Sequence, residues 1–241
     1  MDKIPAGEIK DRSPFLKWLD NYWYHYKVPT IIVLFSLFVV IVCTFQMCTT
    51  SEKYDVTVLY TGPYLMTSSE RSGVINVLNT AMSEDLDQDG HKSVELITYQ
   101  VMSEQQLRDM AAETDENGKP LYEVNRTYYT KEYENYSNMM MTGEFAVCML
   151  DPWLYEGLAN ADRLKKLTDV FGEIPEGAVG EYGVRLGDTA LYQYYDALKI
   201  LPEDTVVCLL LPYVFGANSK EETYAKSIQM FRDMVEFKMP E

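Results

Sequence analysis

The chain has 241 residues, a formal net charge of −16 and a sequence pI near 4.5. The acidity is one-sided: from Ser51 onward there are 33 acidic and 16 basic residues, while the residues before it come to about +1. So acidic a domain repels phosphate backbones and anionic lipid headgroups, which argues against nucleic acid as a partner and against a domain lying flat on a membrane.

Residues 1–12 mix both charges and hold few apolar side chains, as unstructured tails do. Ser13-Pro14 has the form of a cap followed by proline at the first helical position. Phe15, Trp18, Leu19, Tyr22, Trp23 and Tyr26 then recur at helical spacing. Rings with polar tips concentrate at the membrane–water boundary, so 1–27 is expected to be a cytoplasmic tail with an interfacial aromatic helix, joined or kinked at Pro29. Residues 28–47 contain no charged side chain. At the helical rise they span roughly 30 Å, the thickness of a bilayer core, which predicts a transmembrane helix.

Lys3, Lys10, Arg12, Lys17 and Lys27 precede that stretch, and only Lys53 closely follows it. The positive-inside rule predicts a cytoplasmic N-terminus and an extracellular C-terminal domain in a single-pass cell-membrane protein. The region before residue 28 is too long for the n-region of a signal peptide, and no small-x-small cleavage site follows. Residues 48–53 form a linker that reaches ~20 Å at most when extended.

The remainder, 54–241, is expected to be an extracytoplasmic α/β domain. Tyr54–Tyr60 reads as a strand broken by Gly62-Pro63. Thr67-Ser-Ser-Glu70 is a capping-box pattern, followed by an apolar helical face of Val74, Val77, Leu78, Ala81 and Met82. A second strand is expected over 93–101, and Ser103-Glu-Gln-Gln106 starts a short helix. Tyr122, Tyr129, Tyr133, Tyr136 and Met140 share one face of a helix expected over 121–142, a stripe that mostly suits core packing. Glu144–Leu150 reads as a buried strand running into Asp151-Pro152-Trp153, residues 170–190 as a glycine-rich loop, and Thr205–Leu211 as a last strand. Ser219-Lys-Glu-Glu222 has the pattern of a cap on a terminal helix with Tyr224, Ile228, Phe231 and Val235 on one face. Strands alternating with helices, the strands near-continuous apolar runs, predict a single-lobe layered domain with a mostly parallel sheet.

Asp85-x-Asp87-x-Asp89-Gly90 is the sharpest chemical motif. Carboxylates at alternate loop positions converge on a hard cation, and the glycine allows the turn. The start resembles an EF-hand loop, but Leu96 stands where the bidentate glutamate belongs. Asp85, Asp87, Asp89 and the His91 carbonyl, completed by Glu84 or Glu95, make a candidate calcium (Ca2+) loop. The alternative is a solvated acidic turn.

Catalytic signatures are sparse. The two histidines are His25 and His91, and neither a Gly-x-Ser-x-Gly elbow nor a His-Glu-x-x-His pair occurs. No catalytic residue is assigned, and a carboxylate-based envelope hydrolase is the weakest of three readings. Ligands of open α/β sheets bind beyond strand carboxyl ends. That rule makes Tyr64, Asp151, Trp153, Tyr155 and Tyr213 the candidate ligand-binding residues for a sugar, peptide or amino acid.

Met141-Thr-Gly-Glu-Phe-Ala-Val-Cys-Met-Leu-Asp-Pro-Trp-Leu-Tyr-Glu-Gly-Leu-Ala, followed by Leu164-Lys-Lys-Leu-Thr168, resembles a stretch of the type II solute-binding proteins of ABC transporters. The resemblance implies a similar fold over 50–170, with room for one of the two lobes those proteins use. The aromatic lead-in, anchor, Tyr-Asp-Val-Thr-Val-Leu-Tyr strand and Asp-Gly loop resemble uncharacterised single-pass extracytoplasmic proteins of Gram-positive bacteria. Together they lead to the expectation of a membrane-anchored accessory domain, not an enzyme, that engages a membrane-associated protein. A small-ligand receptor is the alternative.

Overall fold

The computed structural model describes residues 14–49, 54–213 and 220–239. It divides into two units, Met1–Lys53 and Tyr54–Glu241. In the first, helix α1 (Pro14–Thr49) is one continuous element with Pro29 inside it. Its stretch Asn21–Thr44 is long and apolar enough to cross a membrane, and none of it is buried by protein. Phe15, Trp18, Tyr22 and Tyr26 form a ladder of stacked rings, with centroids 6.2, 5.6 and 5.3 Å apart. Tyr22 Oη and Thr30 Oγ1 lie 3.0 Å apart across the Pro29 turn. Ser13 and residues 50–53 lie outside the described residues, as does most of the expected tail.

The second unit alternates strands and helices. In chain order it holds β1 (Val56–Gly62), α2 (Ser68–Ala81), β2 (Val94–Gln100), α3 (Glu104–Ala112) and α4 (Arg126–Thr142). There follow β3 (Val147–Leu150), α5 (Pro152–Asn160), α6 (Leu167–Phe171), β4 (Ala178–Val179) and β5 (Gly183–Arg185). A 3-10 turn leads to α7 (Ala190–Tyr194), a second to β6 (Val206–Leu209), and the chain ends on α8 (Glu221–Val235). The expected cap residue Ser219 of α8 lies outside the described residues.

The six strands form one mixed sheet in the order β2-β1-β3-β6-β5-β4. The β2-β1-β3 half is parallel, as the strand–helix alternation predicts. The other half is antiparallel throughout. β4 and β5 fall in the stretch expected to be a loop. They are two and three residues long, too short to show an alternating pattern; pairing of β5 with β6, and of β4 with β5, makes them strands.

Both faces of the sheet are covered, and side chains sort by parity. Val56, Val58 and Tyr60 of β1, Val147 and Met149 of β3, and Val207 and Leu209 of β6 face α2 and α8. There they meet Val74, Val77 and Leu78 of α2 and Met230, Phe231 and Met234 of α8. Leu59, Cys148, Leu150, Val206 and Cys208 face the other way, against Tyr136 of α4 and Leu154 of α5. This two-sided burial is why the strands read as apolar runs.

α4 starts at Arg126, later than expected, because Asn125 caps it by accepting from the Tyr128 backbone N–H at 3.1 Å. The tyrosine stripe is only in part core. Tyr136 is 6% exposed, but Tyr133 and Tyr122 are about half exposed, Tyr122 preceding the helix.

Candidate functional site

β1 lies between β2 and β3, so the crossover from β1 to β2 and the next one, from β2 to β3, run in opposite directions along the sheet. α2 covers one face on the way to β2, and α4 covers the other on the way to β3. The carboxyl ends of β1 and β3 are therefore a switch point, where open α/β sheets leave a crevice. Tyr64 follows β1 and Asp151 follows β3, so both stand at this end of the sheet.

Two capping boxes build this end. In the first, Thr67 and Glu70 satisfy each other's backbone N–H groups at 2.8 and 3.3 Å, and Tyr64 Oη donates to Glu70 Oε1 at 2.7 Å. The backbone N–H of Thr67, then the Tyr64 hydroxyl, hold the Glu70 carboxyl below its ordinary pKa. In the second, Ser103 N–H donates to Gln106 Oε1 at 2.7 Å. That bond fixes the amide so that Gln106 Nε2 donates to Asp151 Oδ2, also at 2.7 Å. Asp151 caps α5 by accepting from the Trp153 N–H at 3.1 Å. It is 7% exposed, and burial pushes its carboxyl upward, opposed by these two donors and reinforced by nearby Asp204. Thr61 Oγ1 is buried here without a hydrogen-bond partner, and the buried Tyr60 hydroxyl has only the nearby Tyr64 backbone N–H beside it. As neighbours on a strand they point to opposite faces, so Tyr60 alone shares its face with α2. Its phenol is pushed up first by burial, against a lowering by the Tyr64 backbone N–H, and further by Asp151 and Asp204.

The other predicted ligand residues are not gathered here. Tyr213 follows β6, which is antiparallel to β3 with Leu209 opposite Val147. Its place is therefore at the far end of the sheet, where Arg163 lies over its ring at 5.4 Å. The strand-end rule assumed a parallel last strand. Because β6 is reversed, Asp204 before the strand comes to the crevice and Tyr213 after it does not. Tyr155 is a packing residue, 5% exposed, whose hydroxyl donates to the Val179 carbonyl. Trp153 turns toward α4 and stacks on Tyr133 at 6.3 Å with 21° between the ring planes.

At the opposite end of β1 the acidic loop folds on itself. Asp85 accepts from Gln88 N–H at 2.8 Å, Gly90 N–H at 2.7 Å and Asp87 N–H at 3.3 Å. Burial raises the Asp85 pKa, but these three donors outweigh it and hold the carboxyl below its usual value. Asp89 accepts from His91 N–H at 2.8 Å, and Glu95 is engaged by the Thr57 hydroxyl at 3.1 Å. Asp85 and Asp87 are joined by Asp55, their carboxylate oxygens lying within 4.8 Å of one another. Asp55 is buried and accepts from Asp87 N–H at 2.7 Å and Ser93 N–H at 2.8 Å. All three groups are hard oxygen donors of the kind calcium takes. Asp89, His91, Glu84 and Glu95 are not in the group.

Sequence reasoning missed Asp55, Gln106 and Asp204. The capping-box pattern at Ser103 could have found Gln106, because a residue locked at that position has one amide hydrogen pair left to aim. Asp55 and Asp204 have no local signal, since strand pairing alone brings them in. No protein-family model, no curated protein and no solved structure matches this chain.

Proposed function

We propose that this chain is a single-pass, membrane-anchored protein with a cytoplasmic N-terminus, whose one-lobe extracytoplasmic α/β domain works without catalysis by engaging a membrane-associated protein. The observation that carries this reading is α1. A 24-residue stretch of it, Asn21–Thr44, is predominantly apolar without protein cover, so it needs another apolar surrounding, and a bilayer supplies it. The short linker then keeps an acidic domain close to other membrane proteins. Chemical crosslinking of the full-length protein in native membranes, with captured proteins identified by mass spectrometry, tests it. Repeated recovery of the same permease or envelope protein is expected. Recovery of self-crosslinks alone would remove the docking role.

A second reading, a small-ligand receptor, is favoured by one observation: the buried Tyr60 hydroxyl gathered with the Asp151 and Asp204 carboxyls at the strand ends. Thermal-shift screening with sugars, peptides and amino acids tests it, and no stabilisation by any of them counts against it.

Calcium bound by Asp55, Asp85 and Asp87 would tie the loop to β1 and relieve repulsion among three carboxylates. Millimolar calcium is expected to raise the unfolding temperature, with the gain lost in Asp87→Asn. An equal gain in that variant would sink the assignment.

A further inference from the structure

A groove of about 330 Å³ runs between α4 and α5, at the lower end of the volumes that hold small molecules. Tyr133, Tyr136, Ser137, Met140, Trp153 and Leu158 line it, and no lining residue is charged. A charged ligand would lose hydration here without gaining a counter-charge, so the occupant is neutral. The lining is also not purely apolar. Among the described residues, the hydroxyls of Tyr133, Tyr136 and Ser137 make no hydrogen bond, and they face the groove's solvent. The Trp153 indole N–H is buried and unpartnered. An unmet buried donor is costly, so it asks for an acceptor. Tyr133, which stacks on Trp153, is half exposed at the groove. A wholly apolar occupant would leave all four polar groups unmatched.

We infer that this groove binds a neutral sugar ring. A pyranose presents C–H groups on its faces and hydroxyls around its rim. Its C–H face suits the electron-rich face that the half-exposed Tyr133 ring leaves open. Its rim supplies the acceptor for the indole N–H and partners for the three hydroxyls. The site is separate from the crevice, which lies beyond the strand ends and holds Asp151, and it does not depend on the docking reading.

Trp153 is the one tryptophan of the domain, the other two being Trp18 and Trp23. The test uses the full chain carrying Trp18→Phe and Trp23→Phe in a detergent without a sugar headgroup, with emission from Trp153 as the signal. Glucose, galactose, N-acetylglucosamine, maltotetraose and chitotetraose are the probes. At least one is expected to shift the emission saturably, with a dissociation constant on the order of millimolar. Tyr133→Ala is expected to weaken that response by about tenfold or more, and Ser137→Ala by several-fold, with unchanged circular dichroism. Tyr64→Phe, at the crevice, is expected to leave it intact. The inference is overturned by the absence of a saturable shift with all five probes. It is equally overturned by a response that survives Tyr133→Ala, or by one that Tyr64→Phe abolishes. None of these results touches the crosslinking outcome, so the two ideas fail separately.

Discussion

Asp151 shows how much one side chain carries at the crevice. It caps α5 and receives the Gln106 amide. Burial raises its pKa, so the folded state holds the proton more tightly than the unfolded chain does. The ionised form therefore costs stability at neutral pH, and the cost disappears as pH falls through the raised folded value toward the ordinary one. Asp151→Asn, which keeps an accepting oxygen and sheds the charge, is expected to match or exceed the wild type in urea unfolding at neutral pH. Asp151→Ala is expected to lose about 1–2 kcal/mol, since both donors are left open. A different constraint holds at Gly183 of β5, where an added Cβ would sit 2.8 Å from Tyr155 Cε2 and clash with Val206 Cγ1. Gly183→Ala is expected to destabilise by about 1–3 kcal/mol, the range for overpacking, measurable by the same unfolding experiment.

The element that most changed meaning between sequence and structure is α4. Spacing alone put its tyrosines on one face, and that much holds. Which of them is buried was not legible, because a stripe of fixed period is wider than the strip of sheet it covers. Tyr136 packs with Leu59, Cys148 and Leu154, while Tyr133 stands at the groove. Tyr136→Ala is expected to cost about 3–5 kcal/mol and Tyr133→Ala less than ~0.5 kcal/mol, read from thermal unfolding of the two variants. The opening loops behave alike in acid. Asp85 has its pKa raised by burial but lowered further by the N–H groups of Gly90, Gln88 and Asp87, and Glu70 is lowered by Thr67. Groups with depressed folded values contribute stability above their unfolded pKa and lose it as pH falls through the folded one. Stability is expected to decline below about pH 4, and Asp85→Asn to flatten that decline in a series of unfolding curves.

At the scale of the molecule, every residue of the two core clusters belongs to Tyr54–Glu241. A fragment spanning 54–241 is expected to fold without α1. Its two cysteines give a direct check. Cys148 and Cys208 sit opposite each other in the β3–β6 pairing, are fully buried as free thiols, and have pKa values pushed up by burial. A maleimide reagent should label neither in the native fragment and both after denaturation. Labelling of the native fragment would show that the sheet does not close without the anchor.

Local chemistry was enough to place the apolar helix, the strands β1, β2 and β3, both capping boxes and the acidic loop. Each depends on residues within a turn or two of one another, where periodicity and hydrogen-bonding groups act directly. The expected single parallel trend could not extend to β6, because strand direction is set by which partner a strand finds and not by its own residues. That one reversal sends Tyr213 away and brings Asp204 in. The same dependence on distant partners hides Asp55 from a motif search and leaves β4 and β5 looking like loop. Sequence determined which segments are apolar, capped or acidic. Tertiary pairing decided which of them meet, because contact between segments far apart in the chain is a property of the packed sheet and not of any stretch within it.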